Sequence, residues 1–300
     1  MKVLREKIDE LKKERKAVIL AHNYQRPEVQ DIADFVGDSL GLARKAAKTD
    51  AEVIVFCGVH FMAETAYILS PEKTVILPDK NAGCPMADMI DASSLRRFKE
   101  DCSKATVVTY VNSSAEVKAE SDICCTSSNA VNVVKSTDSD TIIFTPDKNL
   151  GRYAADLTDK TVILWKGFCP THNNIKPDQV TELKKLYPEA VFMAHPECTE
   201  DVLDLADYVG STSQMFEWAK NTQAKTVIVG SEIGMLYKLK KDNPDKLFLP
   251  PTADTLCPNM KLITLDKVYE ALKSMEPKIT VPEKIRLKAL SAVEKMLKID

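Results

Sequence analysis

Three cysteines in this chain are each followed by proline, at Cys84-Pro85, Cys169-Pro170 and Cys257-Pro258, and stand 85 and 88 residues apart. Thiolates are strong metal ligands, and three of them brought together from distant loops need no short-range spacing. Two occupants suit such a set. A [4Fe–4S] cluster held by three cysteines leaves one iron without a protein ligand, and that iron is a Lewis acid for a substrate oxygen. The competitor is zinc bound by the same cysteines and His172, which lies three residues after Cys169; such a closed site would be structural. Counting ligands does not separate them. The remaining cysteines, Cys57, Cys102, Cys124, Cys125 and Cys198, read as small apolar packing residues. No CxxC pair occurs, so zinc-ribbon and thioredoxin-type motifs are absent.

The histidines supply the second signal. His22 and His195 open two segments that read alike, AHNYQRPEVQDIADFVGDS and AHPECTEDVLDLADYVGSTS. Val29, Asp31, Asp34 and Gly37 fall on Val202, Asp204, Asp207 and Gly210 without a gap. A more diverged copy begins at YVNSSAEVKAESDICCTSS, where Tyr110 takes the histidine's place and Asp122 follows at the matching offset. Ser39, Ser127 and Thr212 follow His22, Tyr110 and His195 by 17 positions each, and a strand end follows by 36, at Gly58, Pro146 and Ser231. Each copy closes on its Cys-Pro pair. A fixed period of this length marks a tandem array of modules.

These residue types fit anion binding and proton transfer. Imidazoles at His22 and His195 can hold an anionic edge or relay a proton near neutrality, whereas His60 reads as structural. Glu197 is a candidate general base, against a plain reading as a helix N-terminal carboxylate. Ser39, Ser127 and Thr212 stand at strand-to-helix turns, either as N-caps or as hydroxyls that bind an anion together with free helix N–H groups. Tyr24, Tyr110 and Asn112 are polar where an apolar core gives no reason for them. Lys148 and Arg152 read as solvated surface.

Short apolar runs rich in branched residues must position these groups. AVILA, EVIVFCG, TVVTYV, TIIFTP, VFMAHP and TVIVGS alternate with helical stretches such as 2–15, 40–48, 61–69, 92–102 and 177–186. The pattern predicts an α/β protein of three pseudo-symmetric, three-layer αβα modules with parallel sheets. The expected boundaries are 1–86, 87–172 and 173–260, with 261–300 as C-terminal helices, broken at Pro277 and Pro282, packed back on the first module. Ligands of such sheets collect beyond the carboxyl ends of the strands. The residues shared by the repeats are expected there, with all three rims facing one central cavity.

Composition bounds the partners. The formal net charge of -3, with 44% hydrophobic and 28% charged residues, gives no basic excess for nucleic acid or an anionic membrane. No apolar run reaches spanning length, and MKVLREKIDELKKERK reads as a charged helix rather than a signal peptide. The expected compartment is the cytoplasm.

HNYQ with PEVQDIADFVGDS, the stretch YVNSSAEVKAESDICCTSSNAV, PDKNLG, AHPEC and the three separated Cys-Pro loops together resemble the quinolinate synthase family, over essentially the whole chain. The resemblance implies three α/β domains around one [4Fe–4S] cluster. It implies condensation of iminoaspartate with dihydroxyacetone phosphate to quinolinate, releasing phosphate and water, in NAD biosynthesis. It assigns Cys84, Cys169 and Cys257 to the cluster. His22, Ser39, Tyr110, Val111, Asn112, Ser127, His195, Pro196, Glu197 and Thr212 would line the substrate site, some through backbone atoms. Tyr24, with Tyr110, His195 and Glu197, would carry the proton transfers. Its partners would be these small molecules and, transiently, the enzyme that supplies iminoaspartate. A CxxC redox switch found near the C-terminus of some members has no counterpart after Cys257. The rival readings are an aconitase-like hydro-lyase acting on a small dicarboxylate and a non-catalytic zinc- or anion-binding protein.

Overall fold

Ala17–His22 (β1) is apolar until its last residue and buried at five of its six positions, as a strand covered on both faces must be. In the computed structural model, which describes residues 2–299, it pairs in parallel with Phe35–Gly37 (β2) and Val53–Cys57 (β3), and β3 with Thr74–Ile76 (β4). The order β2-β1-β3-β4 then recurs twice. The second sheet comprises Thr106–Tyr110 (β5), Ile123–Cys125 (β6), Thr141–Thr145 (β7) and Thr161–Leu164 (β8), ordered β6-β5-β7-β8. The third comprises Val191–Ala194 (β9), Tyr208–Val209 (β10), Thr226–Gly230 (β11) and Leu247–Leu249 (β12), ordered β10-β9-β11-β12. The architecture is α/β with three αβα modules, as the alternation predicts.

The repeated aspartates have a structural duty. Asp34, Asp122 and Asp207 each stand fifteen residues after a residue near the start of their module's first-numbered strand. Their Oδ2 atoms accept from the N–H of Ile19, Val107 and Phe192 at 2.8, 2.8 and 2.7 Å. Each aspartate's own N–H donates to the carbonyl of that same residue, at 2.9, 3.1 and 2.8 Å. One residue thus replaces a rung of the ladder between neighbouring parallel strands and fixes their register. The expectation that all the shared residues gather at the carboxyl ends is corrected here: His22, Tyr110 and His195 do, whereas these aspartates precede the second strand of each module.

Helices cover both faces. Ser39–Lys48 packs on His60–Leu69, Ala130–Ser136 on Lys148–Asp156, and Thr212–Asn221 on Met235–Asp242. On the first module's other face, Lys2–Glu14 packs on Leu265–Ser274. The chain after residue 261 divides its packing. Leu265–Ser274 lies against the first module, but Glu283–Leu297 lies mainly against Ala115–Ala119 and β6 of the second, with a smaller contact to His60–Leu69. Its Ala289, Ala292, Val293 and Met296 are buried, and that apolar stripe follows the groove between the two modules. One continuous core includes residues of all three sheets; two smaller clusters sit under the outer helices of the second and third modules. Among the described residues no helix is long and apolar enough to cross a membrane.

Candidate active site

The strand ends converge on one cavity of roughly 60 Å³. Its walls include Cys84, Cys169 and Cys257, one from each module, with His22, Tyr24, Ser39, Tyr110, Asn112, Ser127, His195, Glu197 and Thr212. Two expected residues stand apart. Val111 faces a small adjoining void, and its N–H is spent on the Cys125 carbonyl at 2.9 Å. Pro196 does not line the cavity. Lys148 and Arg152 border a separate open cleft, where Arg152 pairs with Glu200 at 2.7 Å. Cys57, Cys124, Cys125 and Cys198 are fully buried in apolar packing.

The serine and threonine hydroxyls are not N-caps. Asp38 caps Ser39–Lys48 through the Gly41 N–H at 2.8 Å, and Ser211 caps Thr212–Asn221 with Gln214 in a reciprocal capping box. Ser39 and Thr212 therefore occupy the first helical position, with their hydroxyls turned to the cavity beside N–H groups that α-helices leave free. Ser127 lies in the turn before Ala130–Ser136. The caps also tie the modules together: the Ser128 hydroxyl lies 2.8 Å from Asp38 Oδ2 and 2.9 Å from Ser211 Oγ, and the Ser213 hydroxyl donates to Asp38 at 2.7 Å. Nothing in local spacing marks Asp38, because two of its partners, Ser128 and Ser213, belong to the other modules.

Both repeat-related histidines accept a backbone hydrogen bond two residues on. His22 Nδ1 takes the Tyr24 N–H at 3.2 Å, and His195 Nδ1 takes the Glu197 N–H at 3.3 Å. Burial, opposed by Asp38, lowers the His22 pKa to about 4, and burial likewise lowers that of His195 despite Glu197. The His22 ring, neutral and accepting at Nδ1, carries its proton at Nε2, whereas His195 Nδ1 faces the Glu197 carboxylate as well as the Glu197 N–H. His195 Nε2 lies 3.2 Å from the Ser127 hydroxyl.

Glu197 is not a helix-terminal carboxylate. Its Oε2 lies 3.0 Å from His172 Nδ1 and 3.1 Å from His195 Nδ1, and the two imidazoles stack with centroids 4.6 Å apart. Burial works to raise its pKa, but the two imidazoles outweigh burial and hold it below the usual carboxylate range. Its Oε1 is buried without a partner, as is Asn112 Oδ1. Buried acceptors left in this state carry a desolvation cost that a bound donor relieves. Tyr24 continues the chain of groups, its hydroxyl 3.4 Å from His172 Nε2 and 3.0 Å from Ser231 Oγ. Burial and Glu197 push the Tyr24 and Tyr110 pKa values well up, so both phenols are protonated at neutral pH. His172 appeared in the sequence only as a zinc ligand; no repeat-related residue marked it.

The three thiols are not gathered around one position as a single tetrahedral ion requires. Thiolates on one tetrahedral zinc, with bonds of about 2.3 Å, stand about 3.8 Å apart. Among the described residues the group of donors lying within 4.8 Å of one another is Cys169, His172 and Glu197. Cys84, Cys169 and Cys257 with His172 do not form one, against the closed-zinc alternative. Burial raises all three thiol pKa values, that of Cys84 to about 12. Such thiols ionise when a cation shares the cavity, with release of protons.

A family model described as Quinolinate synthetase A protein matches residues 6–298. The chain is 60% identical over 293 residues to quinolinate synthase of Dehalococcoides mccartyi strain CBDB1, covering 98% of this chain and 97% of that protein. It is 56% identical over 296 residues to quinolinate synthase of Geobacter sp. strain M21, covering 99% and 97%. Against quinolinate synthase of Thermodesulfovibrio yellowstonii the identity is 54% over 293 residues, covering 97% of each.

Proposed function

The chain belongs to the quinolinate synthase family, and from that premise we propose that it condenses iminoaspartate with dihydroxyacetone phosphate to quinolinate, releasing phosphate and water. The observation that carries this reading is the meeting of one thiol per module in the cavity where Glu197 Oε1 and Asn112 Oδ1 lack partners. Cys84, Cys169 and Cys257 would hold a [4Fe–4S] cluster, which supplies an iron open to a substrate oxygen as a Lewis acid. The protein's own groups account for the rest.

Anion binding falls to Ser39, Ser127 and Thr212 with the N–H groups that open Ser39–Lys48 and Thr212–Asn221, and to the Nε2–H of His22. These donors face a substrate pair that carries two carboxylates and a phosphate. Glu197, ionised between two imidazoles, takes a proton from carbon during enolisation and ring closure. Tyr24, protonated and next to His172, gives a proton to a departing oxygen and is recharged through His172 by the proton that Glu197 took. Asn112, its amide oxygen unpartnered, orients the nitrogen-bearing fragment.

The test is to purify the chain without oxygen, together with Cys84→Ala, Cys169→Ala and Cys257→Ala, and to assay iron, sulfide and quinolinate formation. About four irons and four sulfides per wild-type chain are expected, with both the cluster and quinolinate formation lost in every variant. Stoichiometric zinc, or iron retained in all three variants, would sink the proposal.

A further inference from the structure

The second position after the third strand of each module divides the modules unequally. The residues following Gly58, Pro146 and Ser231 are Val59, Asp147 and Glu232. Asp147 and Glu232 are both completely buried, and each carboxylate spans the same two elements. Asp147 accepts from the Leu150 N–H at 2.8 Å through Oδ1 and from the Cys169 N–H at 3.0 Å through Oδ2. Glu232 accepts from the Gly234 N–H at 2.7 Å through Oε2 and from the Cys257 N–H at 3.0 Å through Oε1. Lys261 neutralises Glu232 at 2.9 Å and also bonds to the Tyr24 carbonyl. One oxygen thus secures the chain leaving the strand, and the other secures the amide of a cavity cysteine.

In the first module the equivalent Val59 has no such group. There the contact is made by backbone alone, His60 N–H to the Ala82 carbonyl at 2.8 Å, two residues short of Cys84.

We infer that Asp147 and Glu232 are paired positioning residues that fix the Cys169 and Cys257 backbones for metal binding, leaving Cys84 as the one arm without a carboxylate anchor. The inference rests on the metal-binding part of the proposed function. Burying a carboxylate is costly, and it is tolerated where hydrogen bonds satisfy it; here the recipients are the cysteine amides themselves. Groups that orient metal ligands from behind change metal affinity by about 10–100-fold when removed. The two carboxylates serve the sulfurs without touching substrate.

Asp147→Asn and Glu232→Gln keep size and shape, but the new amide presents N–H where one of the two donors needs an acceptor. Hydrogen exchange of the metal-free chain reads the anchor directly. Asp147→Asn is expected to speed exchange at the Cys169 amide about tenfold or more and to leave Cys257 unchanged; Glu232→Gln is expected to do the converse. Iron release to a chelator from the loaded protein should accelerate about tenfold in each. Asp140→Asn, at a solvent-exposed side chain, should match wild type in both measurements. Unchanged exchange at a variant's own cysteine, or equal acceleration at both cysteines, overturns the anchor. Iron present in wild type but released at wild-type rates from both variants overturns it too. Absence of iron and sulfide from wild type would instead overturn the proposed function, while the exchange pattern still decides whether the anchors exist.

Discussion

Glu197 and Tyr24 occupy the two ends of a short hydrogen-bonded chain through His172, and the chemistry assigned to them makes separable demands. Glu197→Gln keeps the shape but cannot accept a proton, and Tyr24→Phe keeps the ring but cannot give one. Each should lower kcat by about 10²–10⁴-fold while iron content and visible spectrum stay at wild-type values; normal turnover in both would refute the assignment. His22 makes a prediction about acid stability. Its folded pKa of about 4 lies below the 6.5 of an unperturbed imidazole, so between those values the unfolded chain binds a proton that the folded chain does not. Stability from this group is complete above pH 6.5 and falls as pH drops toward 4, by about 3 kcal/mol in total. Urea midpoints of metal-free wild type and His22→Gln across that window test this: the variant should lose less.

At the scale of elements, the three Asp latches and the three cavity rims answer to different forces, although the sequence repeats both. Asp122→Ala removes a charge-assisted bond to the Val107 N–H inside a sheet, and it should cost about 2 kcal/mol by urea denaturation without changing iron content. Gly167→Ala should act the other way. A Cβ there would meet the Pro146 carbonyl at 2.5 Å, where the chain bridges to Asp147 two residues before Cys169. The Cys169 loop would be pushed outward, so iron per chain should fall measurably even where the fold survives by circular dichroism; full iron loading would show that the close approach is dispensable. The sheets, their helices and the meeting of the cysteines were legible because burial on both faces forces continuous apolar runs and because the repeat aligns the strand ends. Asp38, Asp147 and Glu232 were not, and His172 was legible only as a metal ligand beside Cys169. Their partners are backbone amides or residues of another module, and neither leaves a mark in local spacing. The aspartates of the repeat misled in the opposite sense, since a structural latch repeats as faithfully as a reactive group.

At the scale of the molecule, the modules are not independent beads. The main core includes residues of all three sheets, Asp38 meets serines of both other modules, and Glu283–Leu297 bridges the first two. Its end is tied by Asn129, whose amide donates to the Met296 and Ile299 carbonyls at 3.2 and 2.9 Å. Met296 is fully buried, so Met296→Ala should cost about 2–5 kcal/mol and shift a single transition seen alike by far-UV and near-UV circular dichroism. Separate transitions for separate modules would contradict the shared core.

The distribution of the three thiols also sets a timetable. Cys84 and Cys257 are separated by 173 positions, which a ribosome covers in roughly 9–35 s at the usual rate of synthesis. Iron offered during that interval meets at most two of the three sulfurs. Under the proposed cluster assignment, loading would therefore wait until the third cysteine has been made, and iron content would report how many chains have brought all three sulfurs together.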